Sequence, residues 1–80
     1  MYTDEMRKAF KLLDTYRPKR LDVRIEDNEY FLVVRVTEKS FMSLNGDREK
    51  RQAFEYLVRV KKAFEELGAI VQLIREGGVE

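Results

Sequence analysis

The side chains able to do chemistry are few in type. The 80-residue chain holds no histidine and no cysteine. The commonest general base, the thiol nucleophile and most transition-metal sites are therefore absent, leaving carboxylates, lysines, tyrosines and serines. No acid-base constellation can be assembled from these, so the chain is expected to be a non-enzyme without cofactor or metal. The cluster Glu26-Asp27-Asn28-Glu29 has the charge to attract a hard cation. It lacks the alternating aspartates and turn glycine of a calcium loop, and reads as an acidic hairpin tip.

Two groups of residues remain as candidates for binding. Arg17, Lys19, Arg20, Lys39, Arg48 and Arg51, with Gly46, belong to segments that a hairpin topology brings to one pole, where the second helix also begins. Free backbone N–H groups at such a helix start favour an anion, and Tyr16 and Phe41 offer stacking surfaces for bases. Asp14, Asp22, Glu38, Asp47 and Glu49 dilute this pole, and no GxxxxGK[ST] phosphate motif is present. The second group is apolar. Phe31 and Val33 should share the uncovered side of a sheet with either Val71 and Leu73 or Ile70 and Ile74, and the interface set chosen is Phe31, Val33, Val71 and Leu73. A small monomer rarely leaves such a patch bare, so a homodimer or another protein partner is expected there. The alternative is that Arg24 and Arg35 drape their stems over it.

Charge and composition bound these readings. Sixteen Lys and Arg stand against 15 Asp and Glu, for a net charge of +1, which gives no global pull toward nucleic acid or anionic lipid. Any electrostatic function must come from local segregation. Charged residues make up 39% of the chain; with both signs interleaved, this is a pattern shared by thermostable and by designed proteins. The start MYTDEMRKAF does not resemble a signal peptide, and the longest apolar run, 30–34, is far too short to cross a membrane. A cytoplasmic protein that avoids membranes is expected.

The elements that must position these residues begin with the stretch LDVRIEDNEYFLVVRVT, 21–37. Its alternation predicts a β-hairpin. A two-residue turn at Asp27 and Asn28 would set Ile25 opposite Tyr30, Val23 opposite Leu32 and Leu21 opposite Val34 on one buried face. Before it, Thr3 caps a helix over about 4–16 whose stripe is Met6, Ala9, Phe10, Leu13 and Tyr16, ended by Pro18. After it, the apolar connection 39–46 has room for a short helical turn. Asp47 then caps a long helix over about 48–67, closed by Gly68, with Ala53, Tyr56, Leu57, Val60, Phe64 and Leu67 on one face and Phe54 and Val58 widening it. A third strand, AIVQLIR, covers 69–75, and 76–80 reads as a flexible tail.

The predicted fold is a single α+β domain over 1–80 in the order α-β-β-α-β, a three-stranded sheet with two antiparallel helices packed on one face. The third strand could lie beside either of the first two. This order resembles the BolA-like and class II KH-like group. YFLVVRVTEKSF followed by REKRQAFEYLVRVKKAFEELGAIVQLI is similar to that group's hairpin, long helix and last strand in hydrophobic pattern. Gly46 stands alone where KH domains carry GxxG, and there is no histidine to match the group's iron–sulfur partnership. The resemblance thus implies a fold, and neither of those activities. The functional expectation is a small interaction module, homodimeric through the open sheet face. A KH-like binder of single-stranded nucleic acid, or a designed scaffold without natural function, is the alternative.

Overall fold

A computed structural model describes residues 2–76 of the chain. Helix α1 spans Asp4–Leu13 and runs into a 3-10 turn at Asp14–Tyr16. The hairpin consists of β1 (Val23–Asp27) and β2 (Leu32–Thr37), and the short helix α2 (Glu38–Met42) and the long helix α3 (Gly46–Glu66) lead to β3 (Val71–Glu76). The sheet order is β1-β2-β3, so β3 lies beside β2 and parallel to it, while β1 and β2 are antiparallel. A three-stranded mixed sheet with helices is a small α+β fold. Residues 77–80, most of the expected tail, lie outside the described residues, and Glu76 is the last residue of β3.

The turn at Asp27 and Asn28 is not a two-residue turn. A primed turn there needs positive φ at both positions, and no non-glycine residue among those described adopts it. The chain closes through a wider loop, in which the Asn28 N–H donates to the Phe31 carbonyl at 2.9 Å. Ile25 consequently faces Val34 and Val23 faces Val36. The register has moved by four residues, an even number, so the alternation still sends Val23, Ile25, Leu32 and Val34 to the core side. Tyr30 is the residue displaced; it sits in the loop, 77% exposed.

The core joins Met6 of α1, Leu32, Val34 and Val36 of β2, Val71 of β3, and Ala53, Tyr56, Leu57, Val60 and Phe64 of α3. Aromatic contacts tie the start of α1 to the far end of α3, with the rings of Tyr2 and Phe64 5.9 Å apart. Thr3 caps α1 as expected, its hydroxyl accepting from the Met6 N–H at 3.2 Å. Asp47 does not cap α3. The helix begins two residues earlier than expected, at Gly46, after Asn45, whose N–H is taken by the Glu49 carboxylate at 2.8 Å. The apolar connection is explained by burial, since Leu44 is buried and Phe41 packs against the core from α2. At the other end, the N–H groups of Gly68 and Ala69 donate to Glu65 and Phe64 carbonyls. This is a Schellman cap, with Gly68 at φ +99°. Ala69 is used by the cap, which moves the start of β3 to Val71.

Candidate interaction interface

The face of the sheet turned away from the core follows from the register. Val33 stands between Glu26 on β1 and Gln72 on β3, and Arg35 stands between Arg24 and Ile74. Val71 and Leu73 do not belong to this face. They pair with Leu32 and Val34, and so point to the helix side, where Val71 enters the core; of the two sets considered for β3, Ile74 is the one on the open side. Phe31 is half-buried in the loop before β2, beside a hollow of about 280 Å³ that it shares with Tyr30, Leu67 and Ile70.

Val33 is only 2% exposed although it lies outside the helix-side core. On that side its neighbours are Glu26, its partner on β1, and Arg35, two residues along β2. Arg35 makes a two-pronged bond to the Glu26 carboxylate, at 2.7 and 2.9 Å, a diagonal link to the residue paired with Val33. The Arg35 hydrogen bonds hold the Glu26 carboxyl below the usual carboxylate range. Arg24 bonds Asp22, the residue just before β1, at 3.2 Å. The open face is therefore largely polar, and Arg35 is engaged near the hairpin tip instead of joining the basic pole.

The two sheet edges differ more than the two faces. β1 reads VRIED and carries three charges in five residues, the usual guard of an edge strand. β3 reads VQLIRE, uncharged until Arg75, and its outer edge has no strand partner among the described residues. Beside it runs an unpartnered flank of α3. Arg59 lies 4.8 Å from the Tyr16 ring, which marks the flank toward α1. At 100° per residue, Phe54 and Val58 fall on the opposite side of the buried stripe, toward β3. Phe54 is 61% exposed, and Leu73 is partly exposed on the helix side of β3. Phe54 and Val58 had been legible only as a widening of the core stripe. The signal that sets them apart is their shared i, i+4 position at its margin.

The candidate basic residues separate into two sets. Arg17, Lys19 and Arg20 line a cleft of about 610 Å³ between the 15–20 connection and α3, together with Tyr16, Glu49, Gln52, Glu55, Tyr56 and Arg59. Arg17 is engaged with Asp14 at 2.6 Å and donates to the Leu21 carbonyl at 2.6 Å, which fixes the entry to β1. Lys39, Arg48 and Arg51 do not line the cleft; they are exposed and make no ion pair among the described residues. Gly46, at φ +70°, opens α3. Tyr56 is buried, its hydroxyl has no hydrogen-bond partner among the described residues, and burial pushes its pKa up to about 12. Among the described residues no group of acidic side chains is arranged to hold a metal ion, and no helix is long and apolar enough to cross a membrane.

Comparisons with protein families, with curated proteins and with solved structures find no match to this chain.

Proposed function

We propose that this chain is a small non-enzymatic interaction module that acts as a homodimer, joined edge to edge through β3 and the adjoining flank of α3. The observation that carries this reading is the exposure of Phe54, 61%, on the flank of α3 that helical phase turns away from Tyr16, together with the uncharged start of β3. The open sheet face supports it less well, because Val33 is already covered and the Glu26–Arg35 pair occupies that side.

A second copy fits this surface by symmetry. Antiparallel pairing about Leu73 sets Leu73 against itself and Gln72 against Ile74, extending the sheet to six strands with all helices on one side. Along α3, an antiparallel approach about Val58 places Arg51 opposite the partner's Glu65, each seven residues from the centre. The charges are thus complementary where the apolar flank ends. Sedimentation velocity on the wild type and on Phe54→Glu tests the reading: a concentration-dependent dimer is expected for the first and a monomer for the second. A wild type that stays monomeric at hundreds of micromolar refutes it.

A further inference from the structure

We propose that the cleft between the 15–20 connection and α3 binds a small bipolar molecule, with a phosphate or carboxylate at one end and an ammonium or amide donor at the other. This goes beyond self-association and uses a different part of the molecule. Its volume, about 610 Å³, lies in the range of small-molecule sites. The two walls differ in charge: the connection brings only cations, whereas α3 brings the carboxylates of Glu49 and Glu55 beside one cation, Arg59, which is stacked on the Tyr16 ring.

Engagement elsewhere decides which groups are left for a ligand. Arg17 is committed to Asp14 and to the Leu21 carbonyl. Lys19 has no ion-pair partner among the described residues, and Arg20 has one long bond, 3.4 Å, to the Ser43 carbonyl. On the facing wall Glu49 accepts from the Asn45 N–H, and Glu55 has no ion-pair partner among the described residues. Unpaired charges of opposite sign thus face one cleft without closing on each other. A ligand carrying both signs satisfies both walls, whereas a polyanionic strand would set phosphates against Glu49 and Glu55.

Tyr56 supplies the second observation. It lines the cleft, it is buried, and its hydroxyl has no hydrogen-bond partner among the described residues. A buried polar group left unpaired is uncommon in folded proteins, and this one lies behind the wall of the cleft.

The test is an amide NMR titration with phosphoethanolamine, which carries both charges, inorganic phosphate, which carries one, and a short oligothymidylate. Phosphoethanolamine is expected to saturate, to shift resonances on both walls, and to bind about threefold or more tighter than phosphate, the scale of one exposed ion pair. Glu55→Gln should remove that advantage and leave phosphate binding unchanged, and Lys19→Glu with Arg20→Glu should abolish both. All these positions are exposed, and the spectra of the variants report directly whether they remain folded. Absence of saturation, equal affinity for the two small probes, persistence of the advantage in Glu55→Gln, or tighter binding of the oligonucleotide overturns the proposal.

Discussion

Replacing Phe54 by glutamate is expected to remove an apolar contact from the proposed dimer while leaving the monomer core untouched. The ring is 61% exposed in the isolated chain. Taking roughly 200 Å² for a phenylalanine, about 120 Å² per protomer is available to be buried on association. At about 25 cal/mol per Å² this is worth about 3 kcal/mol per protomer, and about 6 kcal/mol per symmetric dimer, as an upper limit. If a third of it is realised, the loss of about 2 kcal/mol raises the dimer Kd about thirtyfold before the glutamate's own desolvation adds to it. Sedimentation velocity over a concentration series measures this, and far-ultraviolet circular dichroism verifies that the helices are kept. Phe31→Glu is the control. A dimer that survives Phe54→Glu but is lost with Phe31→Glu would place the interface on the open face and refute the edge pairing.

Three further outcomes follow from particular residues. The Tyr56 value of about 12, against an ordinary 10.0, arises mainly from burial. Because the folded-state value is raised, this group leaves stability unchanged below the unfolded value and costs up to about 3 kcal/mol as pH rises from 10.0 to about 12, where only the unfolded chain gives up the proton. Tyrosinate absorbance should lose its component near pH 12 in Tyr56→Phe and keep the upward shift that burial gives Tyr2, and the variant should be equal to or about 1 kcal/mol more stable than wild type in urea at neutral pH; a marked loss would show the hydroxyl to be bonded. The Glu26 carboxyl, held low by Arg35, contributes stability above its unfolded value that is lost as pH falls through its folded value. Carboxyl NMR should find its midpoint depressed in wild type and restored in Arg35→Gln, and an unmoved midpoint contradicts the assignment. Gly68→Ala should lower stability by about 1–2 kcal/mol, because φ is +99° while nothing lies within 4 Å to clash with the new methyl. Denaturant midpoints check this, and a neutral result would mean that the cap relaxes.

Much of the fold was legible because its signals were local and redundant. Thr3, Pro18 and Gly68 bound their elements through chemistry that acts within a few residues, and the alternation of Val23 and Ile25 with charged neighbours fixed which side of the hairpin is buried. The hairpin register was not legible for the same reason. A shift of four residues leaves every side chain on the same face, so hydrophobic pattern alone cannot distinguish Ile25 opposite Tyr30 from Ile25 opposite Val34. The backbone decides, since Asp27 and Asn28 avoid positive φ. Strand β3 posed the converse difficulty. Its run of apolar residues hardly alternates, so its facing depended on where the Schellman cap released the chain, and that point lies two residues later than the apolar run begins.

The candidate interface turns on this last step. With Val71 and Leu73 on the helix side, the open face loses half of its proposed apolar residues, and Val33, buried next to the Glu26–Arg35 pair, has no surface to offer. The same facing adds Leu73 to the flank that carries Phe54 and Val58, next to a strand edge without charge until Arg75. One facing therefore closes one surface and creates another. Alternation within a strand reports on faces, whereas partnership at an edge depends on which strand ends the sheet. Here that is set by β3 pairing with β2 rather than β1, a long-range choice made through α3. Had β3 paired with β1, the charges of VRIED would have been enclosed in the sheet, and the LVVRVT edge of β2 would have been left bare. The observed order instead leaves the charged strand at one edge and places the most buried strand in the centre, so the edge open to a second copy is the one without a guard.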